Sequence, residues 1–377
     1  MRVCLLARDS GDAVSGGHRY HHHLLAAAAA HGVTMWVERP GVRRSLLSSA
    51  DIVVLDSLDA AKAVLRVGGR RQGAPAVALA HQRPGGVDRP RWAMALRRRL
   101  DLAVYRSCAL VVAVGPGLAA DLVGERGVDA TRVTVIEPGC DLPPGPVVPP
   151  LRRGRRLGLL HVANWFPNKD VLSLVEAVAT LPADDVTLHL VGRRDVAPRY
   201  TAAIERRLAR PDLAGRVVVH GPVPADGVAG LLAAADAFAF PSRVETYGTA
   251  AAEALAAGLP ILGWRTPHLR HLVDDGVEAL LVSVGDVDGL AAAAHRLAAD
   301  DRARRVLAAG AARRGARLPT WGETAARFFG ALARLGTEAV EPAHDRPAVD
   351  HVDPAHAGVL DEQAVGDRER DPQRPRQ

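Results

Sequence analysis

The 377-residue chain has almost no lysine and almost no asparagine. Lys62 and Lys169 are its two lysines, Asn164 and Asn168 its two asparagines, and its remaining basic side chains are arginine and histidine. Cysteine is scarce too. Cys4, Cys108 and Cys140 are dispersed and lack metal-ligand spacing, which argues against a disulfide framework and fits reduced, buried thiols. Aromatic residues make up 4%, so the interior has to be built from Ala, Val and Leu. No stretch approaches the roughly 20 apolar residues of a membrane span. The N-terminal MRVCLLARDSG has neither the length nor the cleavage pattern of a signal peptide. The expectation is a cytoplasmic protein, at most peripheral to the inner face of a membrane.

Apolar residues reach 48%, and the length suits two domains of about 150 residues each. The net charge of +6 permits an anionic ligand or membrane surface, although scattered, solvated arginines account for it without either. Short apolar runs alternate with helical patterns: RVCLLA, DIVVLD, PAVALAH, ALVVAVG and VTVIEPG, then LGLLHVA, VTLHLVG, RVVVHG, AFAFPS, PILGW and ALLVSVG. Runs apolar on both faces predict buried parallel strands, and strand–helix alternation predicts doubly wound α/β sheets. Residues 143–156, PPGPVVPPLRRGRR, break the pattern and read as a solvated hinge, with the linker proper at 146–156. From 337 to 377 the chain is charged, proline-containing and poor in large apolar residues, which predicts a disordered tail.

Open parallel sheets bind ligands beyond the carboxyl ends of their strands, where loops feed helix N-termini. After RVCLLA, Gly16 and Gly17 open a helix, and paired glycines let backbone N–H groups approach an anion; a plain turn explains them equally well. The pattern is not G-x-G-x-x-G, which argues against a nicotinamide cofactor. His18, His21, His22 and His23 follow. His18, His21 and His22 share a helix face, but without a Cys or carboxylate cluster they read as cleft-lining polar residues rather than metal ligands. His81 ends the strand PAVALAH before a Gly-Pro loop and is placed to face a cleft. In ANWFPNKD, Lys169 precedes the helix VLSLVEAVATL and adds a point charge to a helix start already favourable to phosphate.

The densest stretch is DAFAFPSRVETYGTAAAEALAAGLPILGW. Glu245 sits in the loop after a strand, Gly248 and Thr249 start a helix, and Glu253 lies one turn in. Two carboxylates flanking a helix start suit a ligand with both hydroxyls and phosphates: carboxylates accept from vicinal diols, and backbone N–H groups take the phosphate.

PSRVETYGTAAAEALAAGLP resembles the Glu-x7-Glu motif of the retaining GT-B glycosyltransferases, in particular family 4. The resemblance extends to the early SGG loop, His81, VTVIEPGCD, NWFPNKD, LVGR and DDGVEALLV, up to about residue 335. It implies a GT-B fold: an acceptor-binding Rossmann-like domain at 1–145, a nucleotide-sugar domain at 157–320, and a helix at 321–336, opened by Trp321, packing back on the first domain. It implies that Lys169, Gly248 and Thr249 bind the donor diphosphate, with Gly16 and Gly17 closing on it from the other side. Glu253 would hold the ribose hydroxyls, Glu245 hydroxyls of the transferred sugar, and His81 would face that sugar. Arg193 and Val223 would lie near the nucleotide. Asn164 stands where the family often has an arginine, so Arg193 or Arg194 would supply that charge. Pro267–His271 replaces a frequent Gly-Gly-x-x-Glu pattern.

The implied enzyme moves a hexosyl group from a nucleotide-diphosphate sugar to a hydroxyl on a small-molecule, glycan or lipid-linked acceptor. It would work by a front-face, retaining mechanism, with no cofactor, no metal and no nucleic-acid partner. The run GDVDG at 285–289 imitates a metal motif but precedes a helix, so Asp286 or Asp288 reads as its cap. A non-catalytic nucleotide-sugar-binding module is the alternative. A nicotinamide-dependent oxidoreductase would need the missing glycine fingerprint.

Overall fold

The computed structural model describes residues 1–7, 16–39, 49–57, 74–86 and 91–338. The tail expected at 337–377 lies outside them from residue 339 onward; Thr337 and Glu338 still belong to the last helix. Met1–Glu338 form one compact unit.

Twelve strands among the described residues form two six-stranded sheets. The first is ordered β2-β1-β3-β4-β5-β6: Thr34–Glu38, Arg2–Leu6, Ile52–Asp56, Ala76–Ala80, Leu110–Ala113 and Val133–Val135. The second is ordered β12-β11-β10-β7-β8-β9: Ala279–Val282, Ile261–Trp264, Ala237–Phe240, Leu157–Val162, Val186–Val191 and Val217–Gly221. Every pairing is parallel, so each strand's carboxyl end points to the same edge of its sheet. The central strands are buried on both faces, as their continuous Val/Leu/Ala runs require. β2, with the sequence TMWVE, is not among the apolar runs. It is an edge strand and only half-buried, so it needs no continuous apolar sequence.

Helices α1 (Gly16–Ala27), α2 (Arg91–Ser107) and α3 (Pro116–Ala120) accompany the first sheet. The second has α4 (Val171–Thr180), α5 (Pro198–Leu208), α6 (Ala225–Ala234), α7 (Thr249–Ala256), α8 (Leu269–Leu272), α9 (Val287–Ala299) and α10 (Asp301–Gly315). The last helix, α11 (Trp321–Glu338), packs on α1: Trp321 stacks on His23 with ring centres 4.0 Å apart and meets Tyr20 edge-on. No helix among the described residues is long and apolar enough to cross a membrane.

The proline-rich connection differs from a solvated hinge at its end. Leu151 is buried, and Arg152 grips Asp236 with two hydrogen bonds of 2.8 and 2.6 Å. The carbonyl of Arg152 also accepts from Thr187, so this part of the connection is fixed to the second sheet.

Candidate functional site

The carboxyl ends of both sheets open onto one cleft of about 1550 Å³. Lys169, Glu245, His81, Gly16, Gly17, Asn164, Arg193, Val223, Gly248, Thr249 and Glu253 all line it.

Local bonding explains how Lys169 is held. Asp170 adopts a left-handed backbone conformation (φ 52°), which ends the turn Pro167–Lys169 and starts α4. Its carboxylate accepts from Arg243 (2.7 Å) and from the buried Trp264 indole (3.0 Å). Asn168 donates to the carbonyl of Val244, and its own carbonyl accepts from the Arg243 N–H. The ANWFPNKD turn is thus stitched to the loop after β10, and Lys169 forms an ion pair with Glu245 there. The rare lysine and asparagine carry different work: one presents charge to the cleft, the other fixes its loop.

Asn164 serves the backbone. Its side-chain oxygen accepts from the Arg193 N–H at 3.0 Å and holds the loop after β8. The Arg193 guanidinium forks onto Asp195 at 3.0 and 2.5 Å. Arg194 is exposed beside Glu205. Pro267–His271 is not part of the cleft lining; its His271 packs on Gly117 instead.

The two halves touch at the cleft. A Cβ on Gly16 would lie 3.1 Å from Thr249 Oγ1, so glycine lets α1 approach the start of α7. Gly248 adopts φ +96°, a left-handed conformation that turns the chain into α7. Thr246 donates to the carbonyl of His81 at 2.6 Å, tying the loop of one half to a strand end of the other. Arg19, absent from the sequence reasoning, reaches from α1 to pair with Glu253 on α7. Glu253 is buried; burial pushes its pKa up, and Arg19 pulls it back part of the way. The signal for Arg19 was only its place two residues after Gly17, in the first turn of a cleft-facing helix.

His81 is anchored through its N–H to Ser57 Oγ at 2.8 Å. Its ring meets Tyr20 edge-on, and a Cβ on Gly17 would lie 3.2 Å from it. Its Nε2 stands 3.1 Å from His21 Nε2, and His21 Nε2 stands 4.0 Å from Asp56 Oδ2. His18 and His22 line the cleft; His21 meets the His18 ring edge-on and is buried against His81. Burial, with His18 adding repulsion, lowers the His21 pKa to about 4. Burial, then His21 and His18, holds His81 well below the usual imidazole range.

Family models match on either side of the connection. Residues 2–143 match the description "Glycosyltransferase Family 4", and residues 156–300 match "Glycosyl transferases group 1". The chain belongs to the family 4 glycosyltransferases. It is 35% identical over 229 residues to a D-inositol 3-phosphate glycosyltransferase of Xylanimonas cellulosilytica, covering 57% of this chain and 54% of that protein. An MMP alpha-(1->4)-mannosyltransferase of Mycolicibacterium hassiacum is 30% identical over 240 residues, 62% of this chain and 56% of its own. The chain thus spans about half the length of the curated relatives it matches. Among solved structures, Anabaena HepE in complex with UDP and glucose superposes with a TM-score of 0.73 at 17% identity, covering 89% of this chain and all of that one. Sucrose-phosphate synthase from Thermosynechococcus elongatus gives 0.75 at 19%, covering 90% and 99%. At these identities the likeness is one of fold, and that fold is GT-B.

Proposed function

We propose that this glycosyltransferase moves a sugar from a nucleotide-diphosphate donor to a hydroxyl acceptor, with retention and without a metal in turnover. The observation that carries the reading is the convergence of Lys169, the start of α7 at Gly248–Thr249, Glu245 and Glu253 on one cleft, closed by Gly16 and Gly17 from the other half.

In the proposed reaction the anomeric carbon–phosphate oxygen bond breaks while the acceptor oxygen bonds to the same carbon from the same face. The acceptor proton passes to the departing phosphate. Charge builds on the leaving diphosphate, so donors placed there beforehand lower the barrier most. Lys169 and the N–H groups opening α7 fill that role. Glu245 holds sugar hydroxyls, Glu253 the ribose diol, and His81 lies beside the sugar. Asn164 positions the loop carrying Arg193, which with Val223 borders the nucleotide.

The solved HepE structures contain UDP or UDP-glucose, which supports a uridine diphosphate sugar as donor here. The D-inositol 3-phosphate named for several relatives supports a phosphorylated polyol acceptor, and Arg83 and Arg97 line the first half's side of the cleft. Peripheral membrane contact draws support from α2, where Trp92, Leu96 and Leu100 stand exposed (74%, 57% and 39%) on the same helix as exposed Arg98 and Arg99.

A panel of UDP-, GDP- and dTDP-sugars, read by thermal shift and by free nucleotide released on turnover, tests the reading. A shift with nucleotide release supports transfer. A shift without release under every acceptor tried favours the non-catalytic module, and no shift with any donor overturns the site.

A further inference from the structure

His21, Asp56 and His81 come from three separate elements: the first turns of α1 and the carboxyl ends of β3 and β4. Their ligand atoms all lie within 4.8 Å of one another, and the described residues hold no other such group of three. Asp56 is 2% exposed and His21 6%. We propose that these three side chains form a binding site for a borderline divalent transition-metal ion, zinc first among them, in the wall of the cleft.

Several independent features favour this. A separation of 3.1 Å between the two Nε2 atoms suits two imidazoles bound at about 2.0–2.1 Å to one ion. One carboxylate beside two imidazoles is a donor set that transition ions prefer over calcium or magnesium. The ligands are also held in advance. His81 is fixed by Ser57 and by the flank of Gly17; α1 is fixed by the Tyr20 hydroxyl donating to the Ile136 carbonyl at 3.1 Å. The Asp56 carboxylate oxygen stands 4.0 Å from His21 Nε2, so coordinating both to one ion draws the two side chains closer together.

The site lies outside the diphosphate cradle, and only His81 borders both. Three protein ligands leave a fourth position, which water or a hydroxyl in the cleft would fill. A bound ion would therefore restrain transfer rather than drive it: it occupies the His81 nitrogen and stands beside the sugar pocket. Metal-free turnover and metal inhibition are compatible, and binding can be read without any donor.

The test uses the full chain, untagged and stripped with chelator, titrated with zinc by calorimetry and then with Co²⁺ followed by visible absorption. The expected result is one zinc per chain at micromolar or tighter dissociation constant, and the intense absorption of a low-coordinate Co²⁺ site. Asp56→Asn and His21→Gln should each weaken zinc binding at least 100-fold, while His22→Gln and His23→Gln leave it within twofold. Zinc at saturation should cut nucleotide release by the wild-type enzyme, with chelator restoring it. Absence of stoichiometric binding to the wild type overturns the site. So does binding that survives both Asp56→Asn and His21→Gln unchanged.

Discussion

Arg19 and Glu253 form an ion pair that joins helices from opposite halves of the molecule across the mouth of the cleft. The carboxylate is buried and proposed to hold the donor's ribose, so ligand binding has to exchange one partner of Glu253 for another. Arg19→Ala leaves a buried carboxylate unpaired. Losing one partner of a fully buried pair costs about 3–5 kcal/mol, and less here because Arg19 is partly exposed. The Glu253 pKa, already raised by burial, would rise further without the guanidinium. A carboxyl whose folded pKa is raised stabilises the fold below its unfolded pKa and loses that contribution as pH rises through the folded value. The variant's deficit in melting temperature should therefore be largest near pH 7 and shrink on acidification. A deficit that is flat from pH 7 down to pH 4 would mean the pair carries no such load.

Lys169→Ala should lower kcat by about 100- to 1,000-fold, the usual consequence of removing one pre-placed donor from a developing anion. Its pair with Glu245 is partly exposed, so stability should change by no more than about 1 kcal/mol. Lys169→Ala and Glu253→Ala should each abolish the thermal shift given by the true donor. If both variants keep the full shift, the donor site is elsewhere.

Gly248→Ala tests the start of α7. A Cβ there would meet the Phe240 ring at 3.2 Å and Leu272 at 3.3 Å, at a backbone conformation that costs a side chain about 1–2 kcal/mol. Denaturant unfolding should register that loss, and KM for the donor should rise as the helix N–H groups shift. Unchanged KM would separate this helix start from the diphosphate.

Asp286 accepts a hydrogen bond from the Gly289 N–H at 2.8 Å and caps α9. Asp286→Ala should cost about 1 kcal/mol of stability and leave nucleotide release at the wild-type rate. Loss of release in a folded variant would reopen the metal-motif reading of GDVDG.

Much of this was legible along the chain. Strands apolar on both faces announced buried parallel sheets, because hydrogen-bonded layers covered on both sides admit few polar side chains. The stretch from Pro241 to Gly258 showed a strand end, a loop and a helix start in sequence, since those are local events. Asn164 illustrates the limit: it lines the cleft, and its side-chain oxygen accepts from the Arg193 N–H on the loop after another strand, a partner that no local stretch names. Edge strand β2 was missed because a half-buried strand needs no unbroken apolar run.

The sequence by itself determined the two α/β layers, the break between them and the chemistry of each strand end, all set by spacing within about 20 residues. Only the tertiary structure decided which of those ends meet. Arg19 finds Glu253, Thr246 finds His81, and His21 finds Asp56 because parallel sheets gather the carboxyl ends of distant strands at one edge. Their encounters depend on strand order and on how the halves face each other, and neither is written in any local stretch of residues.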